Sequence, residues 1–254
     1  MKYTHRQQRE VFHLLFLERL LKQTGPTLFV LKGGLNLRFF FNSPRFSEDM
    51  DLDVLRGSVT TLRKNGYRIL GDRAFVRSLL AFGIADLLVN DPEKAKHTLT
   101  TQRFRARLVT AAGETWPTKV EFSRRPSVGT HMNEPISPRV VRPYQRLAFG
   151  CRHYDARSAV LQKVAALAER SEPQVRDLFD IYVLWSGGQC PEDLCADLEP
   201  ESRERALENA LLLDYEHYQG QVLDYLEGEA RIEFDGVNRW REISGTVLGL
   251  LEGG

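Results

Sequence analysis

Apolar residues recur at helical spacing through residues 5–23, HRQQREVFHLLFLERLLKQ, where Val11, Phe12, Leu15, Phe16, Leu20 and Leu21 fall on one side of a helix. Gly25-Pro26 ends that helix. TLFVLKGG, from Thr27, is a short unbroken apolar run, the pattern of a buried strand, cut at Gly33-Gly34. LNLRFFF then predicts a short helix, Asn42-Ser43-Pro44 a turn, and RFSEDMDLDV, residues 45–54, the next strand. Residues 58–81 predict one or two helices interrupted at Gly66, and Asn90-Asp91-Pro92 a loop. RFRARLVTA (103–111) and TKVEFSRR (118–125) both alternate, and the short AGETWP between them predicts a hairpin.

Residues 126–138, with three prolines, read as a loop. RSAVLQKVAALAER (157–170) is a strong helical pattern, broken at Ser171-Glu172-Pro173. QVRDLFDIYVLW is a second, ending at Gly187-Gly188, and the remainder is helical and acidic. The expectation is an α/β N-terminal domain over residues 1–150 and an all-helical domain over residues 151–254.

The acidic strand is the one element that resists its own pattern. Asp49, Asp51 and Asp53 share a face, about 6.5–7 Å apart in succession, while Met50, Leu52 and Val54 face the core. Strands disfavour Asp, and neighbouring like charges repel. Two carboxylates at this spacing can share a hard divalent cation, which takes one or two protein oxygens and fills the rest of its shell with water and phosphate. A metal so held serves group transfer at phosphorus. Gly33-Gly34, between a strand and a helix, permits close backbone approach to a ligand, and the helix start attracts phosphate.

Composition adds a charge asymmetry. The 254 residues carry a net charge of only +1. Residues 101–160, however, hold eleven Lys/Arg against four Asp/Glu, a net of +7, and residues 191–235 hold three against fourteen, a net of −11. The middle segment is a candidate polyanion surface, or else a solvated basic face that the acidic segment complements. Cys151, Cys190 and Cys195 lack zinc-ligand spacing and read as reduced thiols. LLFL is too short for a signal peptide, and no run approaches the ~20 apolar residues of a membrane span. The expected location is the cytoplasm, with no membrane partner.

Strand, Gly-Gly turn, helix and Asp-x-Asp on the next strand is a pattern similar to the DNA polymerase β-like nucleotidyltransferase superfamily. The wording LKGGLNLRFFF-NSPRFSEDMDL resembles one branch of it, the AbiEii/MenT-type toxin nucleotidyltransferases. Lys32, Gly33, Gly34, Arg45, Ser47, Asp49 and Asp51 match that branch's pattern, and Asp53 is an extra acid. The second half carries the family's Lys-apolar…Arg helix, with Lys163 and Arg170, followed by Arg-Asp-x-x-Asp at Arg176, Asp177 and Asp180. The resemblance spans about residues 10–186.

It implies a polymerase β-like mixed sheet with flanking helices. It also implies transfer of a nucleoside monophosphate (NMP) from an NTP to RNA, the acceptor being a tRNA 3′ end, so that translation stops. Mg²⁺ or Mn²⁺ would be held by Asp49 and Asp51, with Glu121 as a third ligand or as the base. Lys163 would contact the triphosphate, Asp177 would complete the catalytic set, and Asp180 would lock its helix. Arg176 would meet phosphate or an acid. Lys32 is a phosphate contact or a snorkelling strand-end lysine, and Ser47 a phosphate donor or a turn residue. A cognate antitoxin protein is implied as partner.

For an RNA track, Arg124, Arg125, Arg142 and Arg146 stand out, with Arg103, Arg105 and Arg139 beside them and Tyr144 as a stacking platform. Transfer to a protein hydroxyl or a small molecule, and NTP binding without turnover, remain the alternatives.

Overall fold

The computed structural model describes residues 3–91, 98–125, 129–190 and 194–253. Pro92 of the expected loop at 90–92, residues 126–128 of the expected 126–138 loop, and residues 191–193 of the acidic segment lie outside the described residues. Among the described residues the architecture is mixed α/β, with eleven α-helices and a single seven-stranded sheet. The chain forms two compact units. One comprises Met1–Asn36 and Phe46–His153, the other Leu37–Arg45 and Tyr154–Gly254.

The first unit contains the sheet. Its strands are β1 (Phe29–Lys32), β2 (Asp49–Val54), β3 (Ile84–Val89), β4 (Thr101–Thr110), β5 (Thr115–Ser123), β6 (His131–Pro135) and β7 (Gly150–Tyr154), in the order β3-β4-β5-β2-β1-β7-β6. β1 runs antiparallel to β2, β2 parallel to β5, and β5 antiparallel to β4, the expected hairpin. One face is apolar. Met50, Leu52, Val120, Phe122 and Phe104 are buried there, beneath the helices α1 (His5–Thr24) and α3 (Val59–Leu70).

α1 starts on a capping box of Thr4 and Gln7 and is buried continuously from Gln8 to Leu17, polar residues included. Two of its buried polar side chains reach partners on other elements, although His13 Nδ1 has none among the described residues. Arg9 reaches the Pro117 carbonyl and Glu48, and His13 Nε2 lies 2.8 Å from Thr118 Oγ1. Burial, and secondarily Arg9, lowers the His13 pKa to about 3, so this imidazole is neutral throughout the physiological range.

Several local expectations are corrected. The acidic strand starts at Asp49 rather than Arg45. β3 was not legible because its burial does not alternate and a bulge shifts its register between Ile84 and Asp86. β6 occupies part of the expected 126–138 loop; it is a largely exposed edge strand with no apolar face to betray it. β7 is five residues with a basic centre.

Gly66 does not break its helix, which runs to Leu70 and stops at Gly71. A Cβ at Gly66 would lie 2.5 Å from the Phe104 ring. The glycine therefore lets α3 press onto β4 rather than ending the helix.

The second unit is helical: the C-terminal part of α2 (Gly33–Phe40), then α6 (Ala156–Glu169), α7 (Val175–Ser186), α8 (Pro200–Leu211), α9 (Tyr215–Gln221), α10 (Gly228–Phe234) and α11 (Val237–Glu252). Leu37 joins Val160, Val164, Leu178, Ile181 and Val247 in its core. Among the described residues no helix is long and apolar enough to cross a membrane.

Gly66→Ala tests the close approach. Helix propensity alone favours Ala by up to about 1 kcal/mol. Overpacking the buried Phe104 ring costs about 1–3 kcal/mol. The expected result is net destabilisation in urea unfolding, whereas a stabilised variant would show that α3 has room to move.

Candidate active site

The acidic face of β2 is opposite its apolar one, and the sheet register sets its neighbours. Lys32 on β1 lies beside Asp51, and Glu121 on β5 lies on Asp51's other side. Arg103 on β4 lies beside Glu121. One step along, Asp49 lies beside Lys119, and Lys119 beside Arg105. Acids and bases thus interleave across four strands.

Most of the repulsion is answered by direct pairing. Lys119 Nζ lies 3.0 Å from Asp49 Oδ2, and the Lys119 backbone N–H donates to Asp49 Oδ1 at 3.2 Å. Arg103 Nε donates to Glu121 Oε2 at 2.6 Å. Lys32 Nζ pairs with Asp53 Oδ1 at 2.6 Å. The extra acid therefore has an occupation: it anchors Lys32.

Asp51 is left as the carboxylate with no ion-pair partner among the described residues. Its pKa is pushed up from the ordinary carboxylate value, first by burial and then by the charge of Asp49; Lys119 opposes this, Glu121 adds to it, and Lys32 opposes it. Gly33 closes over Asp51. Its φ is +68°, a conformation that favours glycine, and a Cβ there would lie 3.2 Å from Asp51 Oδ2 and crowd that carboxylate. Gly34 follows as the second residue of α2.

Ser47 Oγ donates to the Asp49 carbonyl at 3.0 Å, the turn role of the two expected for it. A hard divalent cation fits this donor set. It offers oxygens only, from two acids on one strand and a third on the next, around a carboxyl whose charge is uncompensated. Among the described residues no group of three or more His, Cys, Asp or Glu side chains is arranged to hold a metal ion, so the fit lies in the chemistry of these oxygens. An open carboxylate set is what Mg²⁺ ordinarily uses.

The helical unit holds a second constellation. Asp177, fully buried, receives Lys163 Nζ at 2.9 Å and Arg170 Nε at 2.8 Å. Asp180, also fully buried, receives Lys163 Nζ at 2.6 Å and both ends of the Arg45 fork, at 3.1 and 2.8 Å. Lys163, on α6, and Arg170, the extended residue that caps its end, both reach Asp177, and Asp180 locks Arg45 and Lys163 rather than only its own helix. Burial works to raise the Asp177 pKa, but Lys163 and Arg170 outweigh it and hold the carboxyl below its usual range. Burial likewise works against the Lys163 charge, and Asp177 and Asp180 outweigh it and raise that pKa. Arg176 stands on the first turn of α7, half-buried.

The candidate RNA arginines separate into two groups. Arg124 is committed to Gln102 Oε1 and the Gly57 carbonyl, and Arg146 to Glu18. Arg125 and Arg142 are exposed. Tyr144 is buried against Tyr3 and Phe82, so it is no stacking platform; a lone aromatic among arginines carries no sign of which way it faces. Sequence reasoning missed Lys119 as a site residue. The signal was available in the hairpin alternation, which puts it two residues from Glu121 on the same face.

Residues 15–245 match the family described as Nucleotidyl transferase AbiEii toxin, Type IV TA system. The chain belongs to the AbiEii family. No curated protein sequence matches it. Solved structures share the fold at low identity. MenT4, a nucleotidyltransferase toxin from Mycobacterium tuberculosis H37Rv, is 18% identical, with a TM-score of 0.58, over 95% of this chain and 91% of that one. A putative nucleotidyltransferase from H. pylori is 19% identical, with a TM-score of 0.57, over 96% and 95%. JHP933 from Helicobacter pylori is 17% identical, with a TM-score of 0.52, over 99% and 95%. The AbiEii family is thus represented here by a chain whose acidic strand and helical charge network both lie inside the matched region.

Two substitutions test the electrostatics. A carboxyl whose folded pKa is raised opposes folding once pH passes its unfolded value of ~3.9. Asp51→Asn should therefore raise the melting temperature at pH 7 in a chelator, and should abolish the further rise that Mn²⁺ gives the native protein. A lowered melting temperature in chelator would refute the uncompensated charge.

In the helical unit the signs are opposite. The Asp177 contribution is present above about pH 4 and lost as pH falls through its lowered value. That of Lys163 is present below about pH 10.4 and lost as pH rises past its raised value. Asp180→Ala, which removes the buried carboxylate shared by Arg45 and Lys163, should cost about 3–5 kcal/mol in urea unfolding at pH 7. A cost near zero would mean that water already reaches the network.

Proposed function

We propose that this AbiEii chain is a divalent-metal-dependent enzyme that transfers an NMP from an NTP to the 3′ hydroxyl of tRNA, arresting translation until a cognate antitoxin counters it. The observation that carries the reading is the register of β1, β2 and β5, which gathers Asp49, Asp51 and Glu121 beside the Gly33 turn and leaves Asp51 uncompensated. Asp49 and Asp51 are the metal ligands, and Glu121 is the third acid, either a ligand or the group that takes the acceptor proton. The bound metal would supply charge at the phosphate oxygens and activate the attacking hydroxyl.

The acceptor oxygen forms a bond to the α-phosphorus, the bond to the β-phosphate oxygen breaks, and pyrophosphate leaves. The hydroxyl proton passes to a site carboxylate or to water. Gly33 and Gly34 would let the backbone lie against the nucleotide, and at Gly33 a Cβ would crowd Asp51. Lys32, anchored by Asp53, stands at the strand end with its charge fixed for phosphate.

Lys163 is assigned to the triphosphate. Its ammonium has three N–H donors, of which Asp177 and Asp180 use two. Asp177 fixes Lys163 in place, and Arg176 is a further phosphate contact. Family membership supports the transfer chemistry and the antitoxin; tRNA as acceptor rests on the resemblance.

The test is to incubate the protein with tRNA, Mg²⁺ and each α-labelled NTP in turn, beside Asp51→Ala. Label on tRNA, reduced at least about 100-fold in the variant, is expected, since even groups that merely support a metal ligand are worth 10–100-fold. Label appearing on protein or a small molecule would overturn the acceptor, and equal label in both proteins would overturn the role of the acidic strand.

A further inference from the structure

An open cleft of about 340 Å³ adjoins the acidic strand, lined by Asp49, Lys119, Arg105, Arg107 and Asn90 among others, and by Glu48, whose carboxylate pairs with Arg9. Its cations follow from the register. Arg105 lies across from Lys119, and Arg107 across from Pro117, so β4 carries the row of positive charge onward from Asp49. Both arginines are exposed, and neither has a carboxylate partner among the described residues. This distinguishes them from Arg103, which Glu121 holds, and from Arg124 and Arg146, which are committed elsewhere. The half-buried Asp49 bounds one end, and its Lys119 partner retains donors for a second anion.

We propose that this cleft is the acceptor subsite: it binds the phosphodiester backbone of the RNA strand whose 3′ hydroxyl is extended, with Arg105 and Arg107 on successive phosphates. Residues two apart on a strand are about 6.5–7 Å apart, comparable to the spacing of successive phosphates along a single strand. Guanidinium forks match phosphate oxygens two at a time.

A compact triphosphate fits the cleft less well. The glycine turn that suits it lies on the β1 side of Asp51, whereas the cleft opens on the β5–β4 side of Asp49. A row of charge leading to the acids along a strand fits a repeating anion that ends at the reacting hydroxyl. Such contacts recognise backbone and carry no base information, so the subsite is indifferent to sequence. The proposal rests on the reading of the protein as an RNA nucleotidyltransferase.

The experiment measures binding of a short single-stranded RNA with a 3′ hydroxyl as a function of salt. It compares the full chain with Arg105→Ala/Arg107→Ala and with Arg73→Ala/Arg77→Ala, the latter removing the same charge from exposed positions on α4 (Arg73–Leu79). Each phosphate contact contributes about 0.7 to the log–log salt slope for a single strand, so the β4 pair should flatten it by about 1.4. RNA affinity at 100 mM salt should fall at least tenfold, with NTP binding in the absence of RNA unchanged. The α4 pair should leave the slope where it was.

An unchanged slope in the β4 variant, while the native chain still labels RNA, overturns the subsite and leaves the transferase reading standing. Loss of NTP binding instead gives the cleft to the triphosphate and also overturns it. A native chain that neither binds nor labels RNA overturns both readings together.

Discussion

Like charges on one face of a strand are the constraint around which the sheet is organised. Asp49, Asp51 and Asp53 cannot stand together without positive charge, and the flanking strands deliver it by register: Lys32 from β1, Lys119 from β5, and Arg103 from β4 to the neighbouring Glu121. The compensation is incomplete by one residue. Asp51 keeps a raised pKa with no cation of its own, and the Gly33 turn is shaped to lie directly over it.

The helical unit solves a harder version of the same problem. Asp177 and Asp180 have no exposure at all, and isolated carboxylates in that position would be prohibitively costly. Three bases, Arg45, Lys163 and Arg170, share the two acids in a chain of hydrogen bonds that satisfies both. Each acid has two bases and Lys163 bridges both acids, so removing one member weakens the pairing of its neighbours. This is why the Lys…Arg and Arg-Asp-x-x-Asp spacings hold together as one motif, and why activity lost on substituting Asp177 is to be weighed against the stability lost with it.

Much of this was legible in the residues. The strand, Gly-Gly, helix and Asp-x-Asp order fixes β1, α2 and β2, and the alternation of 103–111 and 118–125 fixes the hairpin, because period and turn chemistry are local properties. What escaped is non-local or weakly patterned. β3 and β6 present no alternating face, so periodicity has nothing to report. Gly66 looked like a breaker because the Phe104 ring that requires it lies on another element. Tyr144 looked like a platform because sequence does not show exposure. Lys119 was overlooked because its importance comes from the parallel pairing of β2 with β5, which closes over seventy residues of chain.

The placement of Leu37–Arg45 in the second unit means that the chain leaves the first unit, returns, and leaves again. Arg45 precedes its partner Asp180 by 135 residues. During synthesis the guanidinium therefore emerges early, and its carboxylate only after the whole sheet has been translated. The helical unit cannot close its charge network on a partial chain, and residues 154–254 alone could not close it either. The two units are threaded through one another in sequence, and the younger half of the polypeptide is completed by a residue made near its beginning.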